Sequence, residues 1–282
     1  MWITSFRHAG RRIAFAEYGS GSRTVVLIHG LLLSQRMHEP LARALARRGN
    51  HVVTIDLLGH GRSDHPPDST CYSTSIFAEQ VVGLLDHLDI GEAVIFGTSL
   101  GANTALEVAQ LAPGRVRGMV IEMPVLDHAL IACLFVFGPL IIALAFAQPV
   151  ARFWALAARA VPSRGLPLYA DVALDAVRQD PVSNGAVLQG LFFARVAPRP
   201  AQRRAMLPPT LVIGHRRDPL HPLSDAGMLA DEMPNARLLE ANSLVELRLT
   251  PERLTSEIAG FLRECWQPAR HAGRRRSAAA AS

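Results

Sequence analysis

Short apolar runs alternate with longer amphipathic stretches through the first and last parts of the chain. Val25-Val26-Leu27-Ile28 is continuously apolar, the pattern of a strand covered on both faces. Arg12–Tyr18 reads as an earlier strand, and Val52–Ile55, Ala93–Phe96, Val116–Ile121, Thr210–Ile213 and Arg237–Glu240 read as later ones. Between them, Pro40–Arg48 repeats apolar residues at helical spacing and stops at Gly49. Ser75–Leu88 is an amphipathic helix with Thr74 or Ser75 as its N-cap, and Ala102–Leu111 is a helix ending before Pro113-Gly114. Further helices fall around Ser224–Glu232 and from Pro251 to about Trp266. This alternation predicts an α/β fold with a mostly parallel central sheet flanked by helices.

The alternation lapses from about Pro124 to Pro208, where the chain is helical, apolar and punctuated by prolines. That stretch is too long for an ordinary loop. It predicts a helical cap over 124–208, inserted between a first core part, 1–123, and a second, 209–266; residues 267–282 read as a disordered basic tail. Within the cap, 129–151 carries no charge, a length sufficient to cross a bilayer. Gly138-Pro139 and Gln148-Pro149 interrupt it, so two short, very apolar helices are expected there. Their side chains, Phe135 and Phe137 among them, have three readings. They pack on each other and the core, line an entrance for a lipophilic chain, or make peripheral contact with a membrane surface.

Composition narrows the chemistry. With 282 residues, 49% of them hydrophobic, the chain has enough apolar side chain for a real core, and collagen-like and disordered classes are excluded. Cys71, Cys133 and Cys265 are too few and too scattered for a disulfide framework or a zinc site, which points to a reducing, cytoplasmic setting. Met1–Arg12 has no apolar centre of the kind a secretory signal needs. All 29 basic residues are arginine, a bias expected of a GC-rich bacterial genome, and the lack of lysine excludes P-loop, Schiff-base and lysine-base chemistry. The net charge of +5 owes most to Arg270, Arg274, Arg275 and Arg276, so the body of the chain is nearly neutral and shows no basic face for nucleic acid. No metal or organic cofactor is implied.

Candidate chemistry sits at the ends of the strands. Gly97-Thr98-Ser99-Leu100-Gly101 matches G-x-S-x-G and lies between a predicted strand and a predicted helix, the setting in which a sharp turn exposes the serine hydroxyl. His29-Gly30-Leu31 follows Val25–Ile28, Gly59-His60-Gly61-Arg62-Ser63-Asp64 follows Ile55-Asp56, and Thr250-Pro251-Glu252-Arg253 opens the last helix. With these motifs, the sequence resembles the α/β-hydrolase superfamily of AB hydrolase-1-like serine esterases from about residue 10 to 266, the insertion matching the family's cap. The resemblance implies Ser99 as nucleophile, the backbone N–H groups of Leu31 and Leu100 as oxyanion hole, and Asp218 as triad acid. His29 and His60 are expected to organise loops.

One part of the family pattern is missing. The triad histidine should follow the last strand, but 241–250 contains none, and Leu244 occupies about that place. His221, three residues from Asp218, is the replacement considered first, oriented by Asp218 or Glu122; His215 and Glu246 are weaker candidates, and His271 stands in the tail. Two functions follow. One is a serine hydrolase cleaving a carboxylic ester, thioester or lactone, with a small lipophilic substrate; the other is a catalytically impaired relative that binds an apolar ligand or a protein partner. Dehalogenase- or epoxide-hydrolase-type chemistry is disfavoured because the elbow carries serine rather than aspartate.

Overall fold

Aliphatic and β-branched runs assemble an eight-stranded sheet in the computed structural model, which describes residues 3–267. In chain order the elements of the first core part are β1 (Ile3–His8), β2 (Arg11–Tyr18), β3 (Arg23–Ile28), α1 (Glu39–Ala46), β4 (Asn50–Asp56), α2 (Thr74–His87), β5 (Ala93–Thr98), α3 (Leu100–Leu111) and β6 (Val116–Glu122). The insertion contributes α4 (Ala129–Phe146), α5 (Gln148–Ala160), α6 (Leu168–Arg178), α7 (Pro181–Phe193) and α8 (Pro200–Arg204). The second core part supplies β7 (Thr210–His215), α9 (Leu223–Glu232), β8 (Ala236–Ala241), α10 (Glu246–Leu249) and α11 (Glu252–Trp266). Strand order is β1-β2-β4-β3-β5-β6-β7-β8. The pairings β1–β2 and β2–β4 are antiparallel and the others parallel.

The two-residue period of the strands sorts their side chains into two cores. Val26, Ile28, Ile95, Ile121 and Val212 face α2, α3 and α9, whereas Val25, Leu27, Phe96, Val120 and Ile213 face α1 and α11. Covering both faces of the central strands explains their uninterrupted apolar sequence. All the parallel strands point their carboxyl ends to one edge, where the loops after β3, β5 and β7 meet, and such an edge is where open α/β sheets place ligands.

Three local expectations need correction. The sequence reading missed β1: it is an edge strand whose side chains include exposed polar residues, and it joins β2 through Ala9-Gly10, both at positive φ (46° and 77°), as a tight hairpin requires. The N-cap of α2 is Ser73, whose hydroxyl accepts the Ile76 N–H at 3.1 Å, not Thr74 or Ser75. The third concerns Pro139, which lies inside one continuous helix, α4, rather than separating two. A proline forfeits one ladder bond, and an 18-residue helix packed against α5 and α7 survives that local loss.

Three histidines, His29, His38 and His60, are fully enclosed around the carboxyl edge. His29 is neutral by geometry: its Nδ1–H donates to the Gly30 carbonyl at 2.8 Å while its Nε2 accepts the Leu57 N–H at 3.0 Å. Burial lowers the affinity of all three rings for a proton, pushing His38 down to about 3 with help from the Arg248 charge. His215 moves the other way. Burial lowers it, but the Glu122 carboxylate more than compensates, and the net shift is upward. Groups that are neutral when folded but charge when unfolded draw stability away as pH falls below their unfolded value of about 6.5. From pH 6.5 to 5.5 each enclosed ring withdraws up to about 1 kcal/mol, and His215, whose stabilisation is gained mostly above pH 6.5, returns at most about 0.4 kcal/mol. The expected net loss of about 2–3 kcal/mol should appear as a falling urea midpoint over that interval. A midpoint that is flat or rises on acidification would refute this account.

Candidate active site

A sharp bend joins β5 to α3. Ser99 stands there at φ 54°, ψ −113°, a conformation that costs a side-chain-bearing residue about 1–3 kcal/mol. Surrounding bonds hold it: the Ser99 N–H donates to the Glu122 carbonyl at 2.9 Å, and its own carbonyl accepts the Asn103 N–H at 3.1 Å. The flanking glycines are obligatory. A Cβ on Gly97 would lie 2.0 Å from the Gly101 carbonyl oxygen, and one on Gly101 would lie 2.2 Å from that of Ile28. The turn therefore lifts the Ser99 side chain above the sheet at the head of α3, where the N–H of Leu100 is among those without an intrahelical acceptor.

A second loop, after β7, meets this hydroxyl. Asp218 accepts the backbone N–H groups of Leu220 and His221 on Oδ1, each at 2.9 Å, folding the segment back on itself. Its other oxygen, Oδ2, takes the His221 Nδ1–H at 2.8 Å. That bond fixes the tautomer, leaving Nε2 as the acceptor, and Nε2 sits 2.9 Å from Ser99 Oγ. Burial would raise the Asp218 pKa, but the hydrogen bonds and charge of His221 outweigh it and hold the carboxyl below its usual range. A hydroxyl, an imidazole and a buried carboxylate are thus in line, the arrangement that makes a serine nucleophilic.

The structure does not bring the other acid and base candidates to Ser99 Oγ. Glu122 is buried and accepts from Thr98 Oγ1 at 2.5 Å and from Arg248 Nη2 at 2.7 Å, so it does not orient His221. His215 lies 3.7 Å from Glu122, with its Nδ1 bonded to the Ser243 carbonyl at 3.0 Å. Glu246 is committed to Arg253 and to the Asn242 N–H. Leu244, near the place where the family's histidine is expected, is 42% exposed. Sequence reasoning missed Arg248, whose guanidinium reaches Thr98 of the elbow and Glu122; the only signal was a charge set between Leu247 and Leu249. His271 lies outside the described residues.

Above Ser99 and His221 lies a cavity of about 280 Å³. Leu31, Leu100 and Leu220 form its floor with the two polar residues, and the cap contributes Leu130, Leu134, Phe137, Leu188 and Phe192. Phe137 is therefore a wall residue. Phe135 is not: it is 76% exposed and turned away from the cavity, because two positions along a helix rotate a side chain to another face. The His29-Gly30-Leu31 loop brings Leu31 to the cavity through a turn in which the Leu33 N–H donates to the Gly30 carbonyl at 3.2 Å.

Buried polar groups fasten the cap over this cavity. Asn103, on α3, donates to the carbonyls of Val125 and Val196 at 2.7 and 2.8 Å and accepts the Val125 N–H at 3.1 Å, tying together the entry and exit of the insertion. Asp225, fully buried at the head of α9, accepts the N–H groups of Leu126, His128 and Ala129, and so holds the start of α4. Farther out, Arg36 bridges to Asp171 and Asp175 of α6 at 2.9 and 2.7 Å.

Known proteins share this framework. A family model for the alpha/beta hydrolase fold matches residues 23–243. The enol-lactonase from Burkholderia xenovorans LB400 superposes with a TM-score of 0.73 at 20% identity, covering 92% of this chain and 100% of its own, a likeness of fold. Among curated proteins, the 2-(acetamidomethylene)succinate hydrolase of Mesorhizobium japonicum is 35% identical over 104 residues, 37% of this chain and 36% of its own length. The sn-1-specific diacylglycerol lipase ABHD11 of Mus musculus is 35% identical over 98 residues, 34% of this chain and 31% of its own. The matched segments thus span about a third of the length of those relatives. With the sheet order, the strained serine elbow and a match over most of its length, the chain belongs to the alpha/beta hydrolase fold family.

Proposed function

We propose that this protein is a serine hydrolase that cleaves a carboxylic ester, thioester or lactone of a lipophilic substrate through an acyl-enzyme on Ser99. The observation that carries the reading is the Ser99 Oγ to His221 Nε2 distance of 2.9 Å, with Asp218 2.8 Å behind the ring. His221 takes the hydroxyl proton as Oγ attacks the carbonyl carbon. Negative charge on the carbonyl oxygen is met by the N–H groups of Leu31 and Leu100. Collapse breaks the bond to the leaving group, which departs with the proton from His221. Water, deprotonated by the same ring, then releases the acid and restores Ser99. Each step uses one proton already held by the serine, the ring or water.

Hydrolase names among the relatives support the general class, and the apolar cavity supports the lipophilic substrate. The three cysteines are free, in keeping with a reducing compartment such as the cytoplasm. The reading as a ligand-binding relative rested on the lack of a histidine in 241–250, and the imidazole beside Ser99 supports the hydrolase reading over it.

A fluorophosphonate probe should label the folded protein at Ser99, and p-nitrophenyl esters of increasing chain length should be turned over. Phe137→Ser should shift the preferred chain length because it changes the cavity wall, whereas Phe135→Ser should leave that preference in place. An unlabelled, inert wild type with an intact circular dichroism spectrum would defeat the assignment.

A further inference from the structure

The outer surface of the cap is apolar well beyond what a water-facing helix carries. On α4, Ile131, Phe135, Ile142 and Phe146 are 69, 76, 61 and 86% exposed, and none of them lines the cavity. Helix α5 packs against α4 and adds Phe153 and Trp154, 64 and 61% exposed. The formal charge carried by α4, α5 and the turn after them has one sign. From His128 to Ala170 there is no aspartate or glutamate, while Arg152, Arg159 and Arg164 are all exposed cations. Arg152 and Arg159 stand seven positions apart on one flank of α5, between its buried alanines, Ala155 and Ala158, and its outward phenylalanine. From there their aliphatic stems can lie along apolar surface with the guanidinium groups at the water boundary.

We propose that the outer faces of α4 and α5 seat the cap on an anionic lipid bilayer, with the helices lying in its interface. Aromatic and aliphatic side chains enter the acyl boundary, Trp154 sits at headgroup depth, and the arginines meet anionic headgroups. Helix α4 is long and apolar enough to span. However, its inner face is the wall of the cavity, and its first turn is held by Asp225, so leaving the body would open the site. A second copy of the chain suits this surface less well. Pairing two caps would oppose arginines to arginines with no acid in the segment to answer them. Docking is independent of whether Ser99 reacts; on the hydrolase reading, it places the cavity wall next to a reservoir of lipophilic substrate.

The test is co-sedimentation of full-length Ser99→Ala protein with vesicles of phosphatidylcholine alone or mixed with phosphatidylglycerol. Binding should favour the anionic vesicles and weaken with salt. Phe135→Ser combined with Phe146→Ser should lower the partition coefficient about ten-fold or more. Arg152→Gln with Arg159→Gln should remove most of the preference for phosphatidylglycerol, on the order of ten-fold. Tryptophan emission should shift to the blue on vesicles, a shift lost in Trp154→Phe. Circular dichroism would establish that each variant remains folded. No sedimentation of the unsubstituted surface would overturn the proposal. So would a dimer that ignores lipid and dissociates on Phe135→Ser with Phe146→Ser, or a protein released from vesicles only by detergent. Fluorophosphonate labelling of the wild type reports on the hydrolase reading separately.

Discussion

His221→Ala is expected to reduce kcat for ester hydrolysis by about 10⁴-fold or more, matching the loss in Ser99→Ala, with both variants folded and stable. The ring at 2.9 Å is the only imidazole hydrogen-bonded to the serine hydroxyl among the described residues, so the nucleophile has no substitute base when it is removed. The double variant Ser99→Ala with His221→Ala should be no slower than either single one, because the two groups act as a unit. Asp218→Asn separates position from charge. The amide oxygen can still accept the Leu220 and His221 N–H groups, but its NH₂ would face Nδ1 and turn the ring to the wrong tautomer. A loss of about 10⁴-fold in kcat with little change in KM is expected. Steady-state rates on a p-nitrophenyl ester measure all four variants. A His221→Ala protein retaining a tenth of wild-type activity would shift the base elsewhere and overturn the mechanism.

Arg248→Ala should be the most damaging single change to stability outside the apolar cores. Glu122 is fully buried at the end of β6, and its carboxylate is kept ionised because the Arg248 charge, with Thr98 and His215, overcomes a burial effect that alone would raise its pKa. Removing one partner of a buried pair leaves the other uncompensated, at about 3–5 kcal/mol. The sign of the pH dependence is part of the expectation. In the wild type the lowered Glu122 pKa gives stability that is present above the ordinary carboxylate range and disappears only in strong acid. In the variant, burial dominates and the carboxyl binds its proton more readily than in the unfolded chain. Its deficit should therefore shrink as pH falls toward 4.5, the reverse of the wild-type trend at this site. Urea denaturation of both proteins across that range provides the check, and a constant deficit would exclude Glu122 as its source. Because the Glu122 carbonyl also accepts the Ser99 N–H, the variant should lose activity as well as stability.

What was legible in the sequence follows from how local each requirement is. The serine elbow could be read because every residue in it answers to a nearby steric demand: Gly97 and Gly101 have no room for a Cβ, and Ser99 needs the bend between strand and helix. The Asp218–His221 pair was visible for a similar reason, three residues apart on one loop. Arg248 was not, since its partner Glu122 is more than a hundred positions away and the pairing exists only after β6 and α10 are placed side by side. Continuity of α4 through Pro139 was also hidden, because the cost of a proline is written locally while packing against α5 and α7 is not. Of the two phenylalanines singled out, helical rotation sent one inward and one to the surface, a distinction that composition alone does not carry.

The position of the acid–base pair gives the remainder of the chain an unusual latitude. In the proposed mechanism the proton acceptor and the carboxylate that aims it both precede Pro222, so among the described residues β8, at the margin of the sheet, and the helices after it deliver no reacting atom. On that reading β8, α10 and α11 answer to architecture alone, the Arg248 guanidinium apart. Substitutions there that keep the buried face of α11 and the Arg248 ion pair are expected to leave the proposed chemistry in place.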